Sequence, residues 1–318
     1  MPGTVFFASN RMLAGPPTAP ESYSAVMQPA AVVTDLTFGV AFVDGVDPRT
    51  DQAGRITSIQ DTSTGAFATN VTGDLGNAGR NLLVFIHGFA NAFEDAITRA
   101  AFNRAFLAAS GQPGTDTTVL AFSWPSLGQV IDGLDLPSAY RRDQQMAAAS
   151  ALHLMTFLSR IEPLLTAARR NGSRTYLLAH SMGNLALQGA VRSWFQQGNG
   201  NASLFDVAIL AAADCAFDAF LPPDLTGLNG LPRLATRVSV YYSGADKILD
   251  ISQHVNEMQR LGQDGPKDRA NRTSYPETVF RMFDCGAVRD FGFNPLSSHQ
   301  YYRLSPTVRG WIAQDMPP

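Results

Sequence analysis

Two buried-strand motifs constrain this chain more than anything else in it. Asn81-Leu-Leu-Val-Phe-Ile-His-Gly-Phe89 and Thr175-Tyr-Leu-Leu-Ala-His-Ser-Met-Gly183 each read as an apolar strand running into a small-residue turn and then a helix. The second turn carries Ser181 between Ala179 and Gly183, the pattern of a nucleophile elbow. A serine on a sharp strand-to-helix turn has a strained backbone, so bulky neighbours two positions away clash. The usual pattern has glycine on both sides. Alanine at 179 adds one methyl group and still permits close approach. Taken alone, the same residues also fit a buried strand followed by an N-capping serine. The first motif ends in His87-Gly88, the kind of loop that supplies an oxyanion-hole amide. Both motifs in this order, with an aspartate and a histidine further on, point to a serine hydrolase.

The chain has 318 residues, long for one domain but within the reach of α/β folds. A chain of this size buries roughly 75% of its unfolded surface, so a large core needs no disulfides. Lys plus Arg number 24 and Asp plus Glu 27, a formal charge of −3. Without a basic stripe or aromatic-basic interleaving, nucleic acid is not an expected partner. Cys215 and Cys285 lie in no CxxC or Cys/His spacing, so no metal site is expected, and whether the two pair is left open. Met1–Arg11 lacks a charged stretch before its apolar run and reads as a strand rather than a signal peptide. No window approaches 18 continuous apolar residues. The expectation is a cytoplasmic protein with no transmembrane segment.

Residues 1–80 are rich in Thr, Gly, Pro and Asp, with strands expected at Thr4–Ser9 and Leu36–Val43. They read as an N-terminal β layer and wrapping segment with no strong boundary before Asn81. From Asn81 onward the chain alternates. Strands are expected at Leu82–Ile86, Val119–Phe122, Tyr176–Leu178, Val207–Ala211, Arg237–Tyr242 and Thr278–Asp284. Helices are expected at Asn91–Ser110, Ala139–Leu165 and Gly183–Gln196. This alternation predicts an α/β fold, a mainly parallel central sheet with helices on both faces and an N-terminal β extension, all in one domain spanning 1–318. Asp214–Thr236, with three prolines and two glycines, follows a sheet strand at the edge where ligands bind. It is the candidate for a small lid, and an ordinary connection fits it equally.

Serine attack on a carbonyl needs a base and a group to orient that base. Of five histidines, His87 and His180 are tied to turn geometry. His153 lies mid-helix between two leucines, and His254 falls in a helical stretch after Asp246. His299, past the last strand, is the candidate base. The chain order Ser, Asp or Glu, His requires a carboxylate between 181 and 299. Asp246 follows a strand and a small turn one strand before the histidine, and is preferred over Asp214, with Asp250 a minor third. The oxyanion donors would be the backbone amides of Met182 and Phe89. Trp124, Phe93 and Phe217 are candidates for the substrate pocket.

With these motifs in hand, the chain resembles a known family. Phe85-Ile-His-Gly-Phe89, Phe122-Ser-Trp-Pro-Ser126, Leu177-Leu-Ala-His-Ser-Met-Gly-Asn184, Tyr241-Tyr-Ser-Gly-Ala-Asp246 and His299-Gln-Tyr-Tyr302 look like the bacterial α/β-hydrolase family long catalogued as of unknown function. Val5-Phe-Phe-Ala-Ser-Asn-Arg11 is similar to that family's opening strand. The resemblance implies the α/β-hydrolase fold and a Ser181–Asp246–His299 triad, but no substrate. The reading is a cofactor-independent serine esterase acting on a small-molecule acyl substrate, with short to medium acyl chains expected from the small size of the lid. Another acyl hydrolase (lactonase, amidase or thioesterase) is the alternative among enzymes. A non-catalytic binding protein on a hydrolase scaffold is the alternative from another class. The elbow serine argues against chemistries that place a carboxylate nucleophile there.

Overall fold

The structure is a computed structural model that describes residues 3–28, 36–78, 80–112, 115–128, 136–201, 203–221 and 227–316. Eleven strands are described: β1 (Gly3–Ser9), β2 (Arg11–Leu13), β3 (Tyr23–Met27), β4 (Thr37–Asp44), β5 (Arg55–Thr62), β6 (Asn81–Ile86), β7 (Thr117–Ser123), β8 (Thr175–His180), β9 (Phe205–Ala211), β10 (Ala235–Tyr242) and β11 (Phe280–Asp284). Nine of them form one sheet in the order β11-β10-β9-β8-β6-β7-β1-β4-β5, and β2 pairs with β3 separately. Neighbours from β11 to β1 are parallel, whereas β4 and β5 add as an antiparallel hairpin at one edge. Every residue of β6, β7 and β8 is buried, as expected of parallel strands covered on both faces.

The helices are α1 (Thr64–Ala78), α2 (Phe93–Ala109), α3 (Leu136–Ala149), α4 (Ala151–Arg170), α5 (Gly183–Gln196), α6 (Lys247–Asn256), α7 (Leu261–Asp264), α8 (Tyr301–Leu304) and α9 (Pro306–Asp315). Two cores lie against the sheet. One gathers Phe6, Leu120 and Leu177 with apolar residues of α1, α3, α4 and α5. The other gathers Phe7, Phe85 and Leu178 with α2, α8 and α9.

The structure sharpens some of these expectations and corrects others. Residues 1–80 extend the main sheet rather than only wrapping it. β1 inserts between β7 and β4 in the main sheet, and α1 packs Phe67 on Phe6 and Phe38. The long helix expected at Ala139–Leu165 is two helices broken at Ser150, and the second continues through Pro163 to Arg170. The buried Ser150 hydroxyl donates to the Met146 carbonyl and accepts from Asn10 Nδ2. A serine bonded back to the preceding turn bends a helix. The lid candidate lies in part outside the described residues, at 222–226. Its described part is the crossover from β9 to β10. A 3₁₀ turn at Leu228–Arg233 buries Leu228 and Leu231 in the core beside Phe220 and Leu234. Finally, Cys215 and Cys285 are both free and buried.

Candidate active site

Ser181 stands at the tip between β8 and α5 with φ +54°, in the left-handed region that a non-glycine residue rarely occupies. The backbone around it is locked. Ser181 N–H donates to the Ala211 carbonyl, and the Ser181 carbonyl accepts from the Asn184 and Asp214 amides and from Asn184 Nδ2. A side chain on Gly183 would collide with the His87 carbonyl oxygen, and a Cβ on Gly88 would sit 2.7 Å from Ser181 Cβ. The two sequence motifs are therefore pressed together, which only glycine at 88 and 183 allows. Ala179 lies in the strand itself, between Ile86 and Leu210, where its methyl group is accommodated.

Ser181 Oγ is 2.7 Å from His299 Nε2, and His299 Nδ1 is 2.7 Å from Asp246 Oδ2. All three residues are at most 5% exposed. Because a carboxylate only accepts, Nδ1 carries the proton and Nε2 is left to accept from the serine. The other Asp246 oxygen accepts the Ile248 and Leu249 amides, so the same side chain caps α6. His299 sits in a one-turn 3₁₀ segment, Ser297–His299, between β11 and α8. Ser298 Oγ accepts the Lys247 amide and ties the histidine loop to the aspartate loop.

The neighbouring histidines hold geometry. Burial foremost, then the nearby Arg11 charge, keeps the His87 imidazole well below its ordinary pKa. In its neutral form Nδ1–H donates to the Gly88 carbonyl, and Nε2 accepts the Trp124 amide. Burial foremost, then the adjacent His299, does the same to His180, whose Nε2–H donates to the His299 carbonyl. His153 is buried within α4, and His254 is exposed on α6.

Asp214, the second choice for the acid, is spoken for. It pairs with the buried Arg260 at 2.8 Å, accepts from Tyr140 Oη at 2.7 Å and accepts from Ser252 Oγ. Asp250 accepts from Gln263 Nε2 and pairs with Lys247. In the β6–α2 loop, among the described residues, no acceptor meets the Phe89 amide, nor the Met182 amide across from it.

Two of the three pocket candidates, Trp124 and Phe93, are core residues. Trp124 is fully buried, stacks on His87 with ring centroids 4.9 Å apart and donates Nε1–H to the His87 carbonyl. Phe93 stacks on Tyr23 at 3.8 Å within the core between the sheet and α2. Phe217 lines a cavity of about 1120 Å³ beside Gly244 and Ala245, whose walls include neither Ser181 nor His299. Aromatic type alone does not separate the core roles of Trp124 and Phe93 from pocket lining, whereas position after a strand does bring the three polar residues together.

Sequence reasoning missed the supports of the β6–α2 loop. Arg11, 1% exposed, donates to the Asn91 and Ser126 carbonyls, and the fully buried Asp143 accepts the Ala90 and Leu127 amides. Arg11 closes the opening-strand motif, but no local pattern shows what it or Asp143 braces, since each role is defined by loops far away in sequence.

Among the described residues no cluster of three or more His, Cys, Asp or Glu is placed to hold a metal ion, and no helix is long and apolar enough to cross a membrane.

The sheet order and the serine elbow at the carboxyl end of a central parallel strand define an α/β hydrolase. Residues 63–314 match the family described as "Alpha/beta hydrolase of unknown function (DUF900)", and the chain belongs to that family. No protein with a curated description matches the sequence. Solved structures similar to it include a cold-adapted esterase from an Arctic intertidal metagenomic library, seen with zinc bound. That esterase is 14% identical over 89% of each chain, with a TM-score of 0.39. The thermophilic carboxylesterase EstE1 from a metagenomic library is 12% identical over 92% of each chain, TM-score 0.39. TT1662 from Thermus thermophilus is 13% identical over 82% of this chain and 89% of its own, TM-score 0.38.

Proposed function

We propose that this protein is a serine hydrolase that cleaves carboxylic esters of short to medium acyl chain through an acyl-enzyme intermediate. The observation that carries the reading is the continuous hydrogen-bonded series from Ser181 Oγ through His299 to Asp246. Ser181 Oγ attacks the acyl carbonyl as its proton passes to His299 Nε2. Asp246 holds the imidazole in the tautomer that accepts that proton and balances the imidazolium that forms. The Phe89 and Met182 amides, which have no acceptor among the described residues, donate to the developing oxyanion. His299 then returns the proton to the leaving alcohol, and water enters by the same base to release the acid.

The chain-length reading rests on where the apolar residues go. Phe220, Leu228 and Leu231, which would line a long acyl groove if they formed a lid, are buried in the core instead. Each methylene a groove buries is worth about 0.8 kcal/mol, so a site without one gains little from long chains.

The test is a panel of p-nitrophenyl esters from acetate to palmitate together with a fluorophosphonate probe. Labelling at Ser181 and kcat/KM greatest below the longest chains are expected. Ser181→Ala should be folded, unlabelled and about 10⁶-fold slower. Activity within tenfold of the parent in that variant would remove Ser181 as nucleophile. A maximum at palmitate would overturn the chain-length reading alone.

A further inference from the structure

The direction of the Phe89 N–H is set by groups outside the triad. In a trans peptide the N–H points opposite to the C=O of the same unit, so pinning the Gly88 carbonyl aims the Phe89 amide. That carbonyl accepts from His87 Nδ1 at 2.9 Å and from Asn91 Nδ2 at 3.1 Å. Asn91 Nδ2 also donates to the Phe89 carbonyl at 2.7 Å. The next unit is held at its other end, where the Ala90 N–H donates to Asp143 Oδ2 at 3.3 Å. Ala90 itself stands at φ +55°, a conformation that alanine does not adopt without support.

Asp143 does more than accept one amide. Its carboxylate takes the Leu127 amide at 3.0 Å and the Ser126 hydroxyl, and Ser126 Oγ accepts the Asn91 amide at 3.0 Å. Across the same two loops the buried Arg11 guanidinium takes the carbonyls, Asn91 O at 2.8 Å and Ser126 O at 3.1 Å. A cation collects carbonyls and a carboxylate collects amides, so the β6–α2 loop and the loop after β7 are clamped with complementary signs. Tyr140, one turn before Asp143 on α3, places its ring edge against Phe89 with centroids 5.8 Å apart.

Resting on the ester-hydrolase reading above, we infer that Asp143 is a positioning residue of the oxyanion hole, acting through Ala90, Ser126 and Asn91 to aim the Phe89 amide. It touches no reacting atom, and its effect falls on the tetrahedral state rather than on ground-state binding. Loss of a well-aimed oxyanion donor costs on the order of 10²–10³ in kcat.

The experiment compares the parent with Asp143→Asn and Ser126→Ala. For each, kcat and KM on p-nitrophenyl butyrate, the Ki of phenylboronic acid and the thermal midpoint are measured. The boronate forms a tetrahedral adduct on the serine and reads the oxyanion hole directly. Asp143→Asn should lower kcat by about 10²-fold with KM within threefold, and weaken boronate binding in parallel. Ser126→Ala, a smaller lesion, should shift both in the same direction by roughly tenfold and serves if the aspartate variant does not fold. A folded variant with kcat and boronate Ki within twofold of the parent overturns the inference, as does a rise in KM at unchanged kcat. A parent that binds boronate but cleaves no p-nitrophenyl ester sinks the ester reading, and the boronate comparison still decides the role of Asp143.

Discussion

Asp246 and Asp214 are both buried and both follow a strand, yet their partners differ in kind. Asp246 faces an imidazole with one oxygen and a helix N-terminus with the other, whereas Asp214 faces a guanidinium, a phenol and a hydroxyl. The two substitutions should therefore separate. Asp246→Asn is expected to lower kcat by roughly 10⁴, because the amide stabilises the wrong tautomer and cannot balance the imidazolium. Asp214→Asn leaves the Arg260 charge buried without its counterion, which costs about 3–5 kcal/mol. It should lower the thermal midpoint and leave the turnover of the folded fraction near that of the parent. Kinetics and calorimetry on the two variants check this, and a reversed pattern would move the acid to Asp214.

Elements that the site does not touch carry their own tests. Helix α1 has glycine at 65, 73 and 76 and threonine at 64, 69 and 72, a composition that reads as loop. It is helical because Phe67, Val71 and Leu75, spaced four apart, bury against the sheet. Tertiary burial has overridden a weak propensity. Gly73 is exposed, and a Cβ there meets nothing within 4 Å. Gly73→Ala should stabilise the protein by about 0.5–1 kcal/mol, read as a higher denaturation midpoint with unchanged activity. A lower midpoint would mean that α1 does not form as described. The edge strand β5 escaped the sequence reading for a related reason. It exposes most of its residues, so it shows no apolar run to mark it.

Across the molecule, the sheet order sets Ser181 between His299 and the β6–α2 loop and brings two further imidazoles, His87 and His180, into full burial. Both are held neutral in the folded state, with pKa values well below that of the unfolded chain. Below about pH 6.5 the unfolded chain binds protons there that the folded chain does not. Folding stability is thus fully present above that pH and falls as the solution is acidified, by up to about 1.4 kcal/mol per pH unit for each imidazole. Unfolding midpoints between pH 5 and 7.5 should show this decline, and His180→Gln should make it shallower. A flat profile would mean that neither imidazole is shielded as the packing implies.

The order of amino acids suffices for the strands that are buried on both faces, the elbow at Ser181 and the succession of Ser, Asp and His along the chain. These are legible because each depends on residues close in sequence: an apolar run of strand length, small residues two positions from a serine, a carboxylate and a histidine placed just past strand ends. Which of two strand-end aspartates meets His299 is a matter of packing, since both satisfy the local pattern and it is Tyr140 of α3, Ser252 of α6 and Arg260 that claim Asp214. Packing also makes Trp124 and Phe93 core, makes the described part of the lid candidate a buried crossover, and sets Arg11 and Asp143 to brace the β6–α2 loop. One cause is common to all of these. A buried polar or aromatic group takes its role from the partner that satisfies it, and here that partner usually lies tens of residues or more away along the chain.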